Sequence, residues 1–448
     1  MTTIDHLYQL YLQHPVISTD TRKITPGSLF FALKGDKFDA NTFAQKAVEA
    51  GAAYAVIDNP EYATGDKFIL VEDALTALQE LAAHHRRQLT IPVIGLTGTN
   101  GKTTTKELIN AVLSQRFKVL ATQGNLNNHI GVPLTILSID NTHQMAVIEM
   151  GANHQKEIAL LCSIAQPTHG LITNVGKAHL EGFGGVEGVK KGKGELYDYL
   201  ATQQSEGWEE KIAFINSDDK VLLEMQQARG MQNVVYYGKN VNPENTVSGK
   251  LLDNTPLLTL KWNDRKSSSY NVKSQLTGSY NLDNILAAIC IGTYFDLTAE
   301  EINDGIEGYQ PKNNRSQIMQ TATNTLICDF YNANPSSMFV AIDNMDKVKA
   351  ARKLVILGDM FEMGDESALE HTSVIRKAME AQVNEWIFIG KDFSSQQTEV
   401  DNANLANTTF YMTAEDAIAG LKNNPITHAT ILIKGSRGMA LERLVELF

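Results

Sequence analysis

The feature that most restricts the fold is a glycine-containing loop between an apolar run and a helical pattern. Residues 91–96 read Ile-Pro-Val-Ile-Gly-Leu and lead into Thr97-Gly98-Thr99-Asn100-Gly101-Lys102-Thr103-Thr104. The helical pattern that follows keeps its apolar residues on one face, namely Leu108, Ile109, Val112 and Leu113. A strand, a glycine loop and a helix in this order predict a phosphate-binding loop, because the backbone N–H groups at the helix start attract anions. Such loops lie in α/β folds with a mostly parallel sheet.

Within this loop, Lys102 would neutralise phosphate charge and the Thr103 hydroxyl would reach Mg²⁺. The loop departs from the general spacing G-x-x-x-x-G-K-[ST], because Leu96 stands where that spacing places its first glycine. A glycine turn with an unrelated lysine is therefore the alternative interpretation.

Three domains are predicted along the chain of 448 residues, since a single core rarely organises so many. Residues 1–89 alternate short strand runs (SLFFAL, AAYAVI, KFILV) with helical ones, which is typical of a small α/β domain. Residues 90–312 hold MAVIEM, HGLITNV, KIAFIN and NVVYY, followed by three runs with an antiparallel character. Residues 313–448 again alternate strands and helices, which predicts a doubly wound, Rossmann-like domain.

Composition narrows the class of protein. The chain has 39 Lys and Arg against 51 Asp and Glu, a net charge of −12, which argues against a nucleic-acid binder. Three separated cysteines in apolar surroundings are typical of reduced, buried thiols. With neither a signal-like N-terminus nor a long apolar run, we expect no membrane insertion and a cytoplasmic protein.

The segment GTNGKTTT resembles the ATP loop of the Mur ligase superfamily, whose members form amide bonds in peptidoglycan assembly. The resemblance implies ATP contacts at Gly98, Thr99, Asn100, Gly101, Lys102, Thr103 and Thr104. Glu149 in VIEMGA and His179 in NVGKAHLE match positions that hold divalent metal in the family. One or two Mg²⁺ ions are therefore expected, with Thr103 as a further ligand.

Lys193, in GVKKGKGEL, matches the family lysine that is carbamylated, which would make it an anionic metal ligand. The alternative is a solvated basic run. Lys102, Glu149, His179 and Lys193 form the predicted catalytic set.

Two further segments resemble nucleotide contacts of the family. TGSYNLDN is similar to the adenine-contact motif G-x-H-N-x-x-N, with Tyr280 in place of histidine and with Asn281 and Asn284 retained. The two amides could also cap the helix that follows. Arg315 and Asp329 match residues that reach the nucleotide from the C-terminal domain, and an interdomain ion pair is the alternative interpretation for Arg315.

The substrate prediction depends on two sets of further segments. STDTR and ALKGDKFDAN resemble the uridine-nucleotide pocket of the members that act on the dipeptide and tripeptide precursors, which implies such a pocket for Ser18, Asp20, Thr21, Arg22 and Asp39. GNLNNHIGVP, YNANPSSM and the C-terminal LGDM and KGSRGM resemble the members that add D-Ala-D-Ala to UDP-N-acetylmuramoyl-tripeptide. Precursor and dipeptide contacts are implied for Asn125, Asn127, Asn128, Tyr331, Asn332 and Asn334. The sequence D-N-P-R, by which the diamino-acid-adding members read their substrate, is absent from the chain. The resemblance also implies a monomer.

Three alternatives remain at this stage: a diamino-acid-adding ligase, a nucleotide-hydrolysing switch protein and a small-molecule kinase. Neither the third residue of the precursor peptide nor the general base for the amine can be read from the sequence.

Overall fold

The computed structural model describes residues 2–35, 37–202, 211–255, 257–312, 314–398 and 407–448. Their strands form three sheets of four, nine and six strands and one small hairpin. The predicted three-part α/β organisation is confirmed. In the described ranges, every helix is too short or too polar to cross a bilayer.

The first sheet is parallel and small. Its strands and the surrounding elements are α1 (Ile4–Gln13), β1 (Ile17–Ser18), β2 (Leu29–Phe31), β3 (Lys34–Gly35), β4 (Phe38–Asp39), α2 (Ala44–Glu49), β5 (Tyr54–Ile57), β6 (Phe68–Leu70) and α3 (Ala74–Gln88). Strand order is β1-β2-β5-β6, and β3 and β4 make the separate hairpin. Helix α3 begins where the Asp73 side chain accepts a hydrogen bond from the Thr76 N–H, a regular N-cap.

The second sheet carries the phosphate loop. Its elements are β7 (Val93–Thr97), α4 (Lys102–Leu113), β8 (Val119–Ala121), α5 (Gly131–Ile136), β9 (Met145–Glu149), α6 (Glu157–Ala165), β10 (His169–Ile172), α7 (Leu180–Phe183), α8 (Val186–Ala201), β11 (Ile212–Asn216), α9 (Lys220–Gln227), β12 (Val234–Gly238), β13 (Asn245–Asn254), β14 (Leu258–Asp264), β15 (Ser269–Lys273), α10 (Asn281–Tyr294) and α11 (Ala299–Gly308). Strand β7 lies in the interior between β9 and β10, and all five of its residues are buried.

The three runs predicted as antiparallel are β13, β14 and β15. They pair antiparallel with one another at the edge of the second sheet, and β13 also pairs in parallel with β12. The prediction is confirmed, and these strands continue the main sheet.

The third sheet is doubly wound, as predicted. Its elements are β16 (Gln317–Gln320), β17 (Thr325–Asp329), α12 (Pro335–Lys347), β18 (Lys353–Gly358), α13 (Ser367–Met379), β19 (Glu385–Ile389), α14 (Lys391–Ser394), β20 (Thr408–Tyr411), α15 (Ala414–Asn423) and β21 (Thr430–Lys434). The order is β16-β17-β21-β18-β19-β20, with β16 alone antiparallel among these strands.

The first two domains share one apolar core. Leu78 and Leu81 of α3 belong to the same buried cluster as Ile136 of α5 and Leu161 of α6. Arg86 is fully buried beside them, and its guanidinium donates to three backbone carbonyls, those of Leu89, Ala165 and Gln166. Helix α3 is therefore the element that fixes the first domain to the second.

The predicted linkers fall where one sheet gives way to the next. Residues 89–91 separate α3 from β7, and residues 311–314, of which Asn313 lies outside the described residues, separate α11 from β16. We propose 1–89, 90–312 and 313–448 as the domain ranges.

Candidate active site

The glycine loop between β7 and α4 has a backbone that side chains would disrupt. Gly98 has φ +145° and Gly101 has φ +79°, both in the region that favours glycine. A Cβ at position 98 would lie 2.0 Å from Thr173 Oγ1, and one at 101 would lie 2.7 Å from Asn284 Oδ1. Both glycines are thus required by close approach as well as by φ, and the predicted strand–loop–helix arrangement is present.

Lys102 begins α4 and folds back over this loop. Its Nζ donates to Gly98 O at 2.8 Å and to Thr99 O at 3.0 Å. Burial lowers the pKa of Lys102 to about 8, while nearby Glu149 opposes the shift and Arg315 adds to it. An anion bound at the loop would stabilise the charged ammonium, which is the role predicted for this lysine.

Glu149 at the end of β9 is the buried carboxylate of the site. Its Oε1 accepts hydrogen bonds from Thr103 Oγ1 at 3.1 Å and from Asn127 Nδ2 at 2.9 Å. Its Oε2 is buried and has no hydrogen-bond partner among the described residues. A buried carboxylate oxygen without a partner is costly, and a hard cation such as Mg²⁺ would satisfy it. Glu149 and Thr103 therefore fit the predicted metal position.

His179 reaches the same cavity from the loop after β10. Its backbone lies in the left-handed region (φ +51°), and its Nδ1 contacts the carboxylate of Glu362 from the third domain. Burial lowers the pKa of His179, although Glu362 opposes that shift. No three His, Cys, Asp or Glu side chains converge as a metal-binding group in the described ranges. Other oxygen donors would have to complete a metal site at Glu149.

Lys193 lies on α8 behind the cavity and is buried. Its Nζ donates to Ala152 O at 3.1 Å and lies 4.9 Å from the ring centroid of Phe183. Burial, reinforced by Lys102, places the pKa of Lys193 well below its ordinary value, with Glu157 and Glu195 opposing. The side chain is therefore a buried amine and not part of a solvated basic run.

Residues 173–179, which we call the strap, hold the loop from outside. Asn174 Oδ1 accepts from Asn100 N at 3.0 Å, and Asn174 Nδ2 donates to Asn100 O at 3.0 Å. The Gly176 N–H donates to Thr99 Oγ1 at 2.9 Å. The strap thus fixes the conformation of loop residues Thr99 and Asn100.

The predicted adenine residues lie at the start of α10 and bond to their neighbours. Asn281 Nδ2 donates to Thr277 O at 2.8 Å, and Asn284 Nδ2 donates to Asn281 Oδ1 at 2.9 Å. Asn284 Oδ1 accepts from Thr105 Oγ1 at 3.0 Å, and Tyr280 OH contacts the Ser316 hydroxyl. The amides therefore tie α10 to α4, which is a positioning role in addition to any contact with a base.

The third domain supplies an arginine and a tyrosine. The Arg315 guanidinium carbon lies 3.8 Å from the centroid of the Tyr331 ring, and Arg315 Nε is buried with no partner in the described part of the chain. Asp329 at the end of β17 pairs with Lys434 at 2.7 Å and accepts from Ser316 N at 3.1 Å. An interdomain ion pair is therefore not what holds Arg315, whereas Asp329 orders its own sheet edge.

One cavity of about 930 Å³ lies between the second and third domains. Of the predicted site residues, its lining includes Thr99, Asn100, Gly101, Lys102, Thr104, Asn125, Asn127, Asn128, Glu149, His179, Tyr280, Asn281, Asn284, Arg315, Asp329, Tyr331, Asn332 and Asn334. Asn128 also accepts from the N–H groups of Ile130 and Gly131, where α5 begins. Most of the residues predicted for ATP, metal and acceptor are therefore brought together.

Not every predicted residue lines the cavity. Gly98 and Thr103 contact residues that do, and Lys193 lies behind it. The first-domain residues lie elsewhere. Ser18 Oγ donates to Ser28 Oγ, exposed Asp20 and Arg22 pair at 2.8 Å beside Thr21, and Asp39 Oδ1 accepts from Asn41 N at 2.9 Å. The uridine-nucleotide pocket stays a prediction.

The lining residues without an assigned role in the sequence include Asn174, Lys434 and Glu362. Asn174 follows the parallel strand β10 and Lys434 ends the parallel strand β21, which is where open α/β sheets place ligands. Glu362 lies on a loop with φ +62°, and its contact with His179 spans 183 positions, so no local pattern could reveal it.

The matches to protein families cover all three domains. Residues 15–86 match the Mur ligase family catalytic domain, residues 96–292 the Mur ligase middle domain, and residues 314–437 the Mur ligase glutamate ligase domain. The chain is 36% identical to the UDP-N-acetylmuramoyl-tripeptide–D-alanyl-D-alanine ligase of Escherichia coli K12, over 96% of this chain and 92% of that protein.

Solved structures have the same architecture. A crystal structure of MurF from Acinetobacter baumannii is 29% identical and superposes with a TM-score of 0.86, covering 99% of this chain and 98% of that one. The MurF ligase of Thermotoga maritima in complex with ADP shares the fold, with a TM-score of 0.83 at 24% identity, covering 100% of this chain and 98% of that one. Since the similarity runs through all three domains and a relative is 36% identical over nearly the full length, the chain belongs to the Mur ligase family.

Proposed function

We propose that this protein joins D-alanyl-D-alanine to UDP-N-acetylmuramoyl-tripeptide with consumption of ATP, giving the pentapeptide precursor of peptidoglycan. The single observation that carries the proposal is the cavity in which the phosphate loop, the Glu149 carboxylate and Arg315 from another domain face one space. The similarity of the chain to relatives named for this reaction supports the choice of substrates.

The chemistry fits a phosphorylated carboxyl intermediate. A carboxylate is a poor electrophile, and transfer of the γ-phosphoryl group to its oxygen supplies a good leaving group. The amine of the dipeptide then attacks the acyl carbon, phosphate leaves, and an amide bond forms. Lys102 of the second domain and Arg315 of the third both line the cavity and would offset negative charge on the transferred group.

A divalent cation fits beside the loop. Glu149 and Thr103 would hold it, with His179 at a second position, and it would polarise phosphate oxygens. The residues themselves do the positioning, because Asn127 fixes the Glu149 carboxylate and Glu362 fixes the His179 ring.

Lys193 supports the proposed carbamylation. Only a neutral amine attacks CO₂, and burial favours that neutral form. The Nζ–carbon bond forms, one proton leaves Nζ for solvent, and the neutral amine becomes an anionic carbamate. The modification would convert a buried amine next to Ala152, which lines the cavity, into an anionic oxygen ligand.

The proposal also covers the uridine-nucleotide site, the cellular location and the oligomeric state. We propose that the first domain binds the uridine nucleotide near Ser18, Asp20, Thr21, Arg22 and Asp39. The protein would act in the cytoplasm, where ATP and nucleotide-linked precursors occur, and as a monomer. The observation that supports a separate nucleotide-sugar site is that these residues lie outside the cavity of the other two domains.

The proposal is tested by phosphate release with ATP, Mg²⁺, UDP-N-acetylmuramoyl-tripeptide and D-Ala-D-Ala, leaving out one component at a time. We expect release that requires both the tripeptide and the dipeptide, with one pentapeptide product per phosphate. Release that persists without the dipeptide would instead indicate a nucleotide hydrolase. Turnover sustained only by a free diamino acid and the dipeptide precursor would indicate the neighbouring ligase type.

A further inference from the structure

The strap contacts two domains at once. On one side it bonds to the phosphate loop through Asn174 and Gly176, as described above. On the other side Lys177 N donates to Ser336 Oγ of α12 at 3.1 Å, and Lys177 Nζ pairs with Glu370 of α13 at 2.6 Å. The same short segment therefore supports the loop and meets the third domain.

The pair between Lys177 and Glu370 is asymmetric in exposure. The Lys177 side chain is 49% exposed, whereas that of Glu370 is 3% exposed. Glu370 has one neutral partner besides the lysine, since Ser373 Oγ donates to its other oxygen at 3.3 Å. A buried carboxylate needs a cation nearby, and here the cation comes from across the domain boundary. If the domains separated, water would replace the lysine.

Both domains line the cavity, so separation of the third domain would admit substrates and its return would exclude water. From these contacts we infer that Lys177 and Glu370 form an interdomain latch, which positions the strap and the phosphate loop against the third domain while the reaction proceeds. Both are positioning residues, because in the described part of the chain neither lines the cavity. The inference rests on the proposed ligase activity and adds how the closed state is held.

The latch has a chemical consequence. An acyl phosphate is hydrolysed by water, so a closed cavity protects it until the amine attacks. A weakened latch would leave the loop residues in place but let the cavity open early. Phosphate would then be released without peptide product, a result that a purely structural role for the pair would not give.

The test uses the full chain with K177M, E370Q and the double variant, measuring phosphate and pentapeptide separately. We expect each single variant to lower kcat/KM roughly tenfold, as befits one charge-assisted hydrogen bond, and to raise the phosphate-to-product ratio above one. The double variant should be no worse than the worse single variant, because both remove one interaction. K177R should restore part of the loss.

The matched control is K190M. Lys190 pairs with Glu224 at 3.2 Å within the second domain, so the same chemical change breaks an ion pair that spans no boundary. The phosphate-to-product ratio of K190M should stay at one. Thermal midpoints of all variants report whether folding is preserved. S336A removes the hydroxyl that accepts from Lys177 N, and it should raise the phosphate-to-product ratio less than K177M does.

A readout independent of ligase activity separates the latch from the proposed function. Small-angle scattering with Mg²⁺ and a non-hydrolysable ATP analogue should give a larger radius of gyration for K177M than for the unmodified protein. If the unmodified protein forms no pentapeptide, the ligase proposal is rejected and the latch is not. Unchanged scattering and an unchanged phosphate-to-product ratio in K177M and E370Q would overturn the latch.

Discussion

The two domain interfaces of this protein differ in chemistry, since the first is apolar and the second is polar. Between the first and second domains, α3 buries leucines in a core shared with α5 and α6. Between the second and third domains the contacts described above are polar, such as Asn334 Nδ2 donating to Asn100 Oδ1 at 2.9 Å and Lys177 pairing with Glu370. None of the buried apolar clusters of the described residues spans this second interface.

The difference follows from what each interface has to do. Each Å² of buried apolar surface stabilises the folded state by roughly 25 cal/mol, and this energy is lost when the surface is exposed to water. The first interface, which we call the apolar joint, is therefore suited to staying closed. Polar groups exchange protein partners for water at little net cost, so the second interface suits repeated opening. Stability should therefore depend mainly on the first interface and activity mainly on the second.

The largest effect is expected from R315M at the polar interface. Arg315 faces the phosphate loop, so losing its charge should lower kcat about a thousandfold, in the range typical of arginines that stabilise phosphoryl transfer. The thermal midpoint should hardly change. Steady-state kinetics and calorimetry measure the two quantities. R443M is the control, since Arg443 pairs with Glu415 on the surface of the same domain. Equal losses in both variants would contradict the assignment.

The second effect concerns the apolar joint. Leu81 is fully buried in α3, and L81A should lower the free energy of unfolding by about 3 kcal/mol through lost burial and the cavity left behind. Urea unfolding of the full chain measures it. The matched change is L12A, at an α1 leucine that is 53% exposed, which should cost less than about 0.5 kcal/mol. A small loss for L81A would mean that α3 is not the joint described here.

A third prediction separates the two roles of Asn334. Its Oδ1 accepts from Ser337 N and caps α12, while its Nδ2 donates to the phosphate loop. N334D keeps the cap and loses the donor, so kcat/KM should fall roughly tenfold while stability stays within about 0.5 kcal/mol. N334A should lose activity and also about 1 kcal/mol of stability. Full activity of N334D would show that the amide contact does not matter for the reaction.

The smallest effect is a pH dependence of the apolar joint. His85 of α3 is buried, and its Nε2 contacts Ile139 O at 2.8 Å. Burial lowers the pKa of His85 below its ordinary value of 6.5, so at acidic pH the unfolded chain binds more protons than the folded one. Above pH 6.5 His85 therefore does not lower the free energy of unfolding, and this free energy decreases as the pH drops below 6.5. H85Q should flatten this slope in urea unfolding at a series of pH values.

The control for this prediction is H6Q, at an exposed histidine of α1. It should leave the slope as it is in the unmodified protein. An unchanged slope in H85Q would place the acid sensitivity elsewhere in the molecule.

Local patterns predicted much of this molecule. The phosphate loop, most strands and the doubly wound third sheet could be read from apolar runs and glycine positions, because such signals lie within a few residues of one another. Helix α1 was not predicted, although its Thr3 N-cap and its buried leucines and tyrosines are a regular signal. That omission hid the packing of α1 against α3, where Tyr8 contacts His85.

Contacts between domains could not be predicted in the same way. The residues of the Lys177–Glu370 and Asn334–Asn100 contacts are 193 and 234 positions apart, and no single motif holds both partners. The amides of Asn281 and Asn284 show a related limit. Their motif indicated nucleotide contact, whereas their hydrogen bonds also join two helices, since a side chain in a crowded site must satisfy its neighbours as well.

The two-sided packing of α3 bears on how such proteins can be recombined. A chimaera that took residues 1–89 from a distant homologue would lose Leu78 and Leu81, and its new α3 would have to carry side chains of matching volume against α5 and α6. Exchanging residues 313–448 demands less packing complementarity, because a new third domain needs to offer a few polar groups, among them an arginine at position 315, a carboxylate opposite Lys177 and an amide opposite Asn100. Evolution and protein engineering should therefore find the C-terminal third the more interchangeable module.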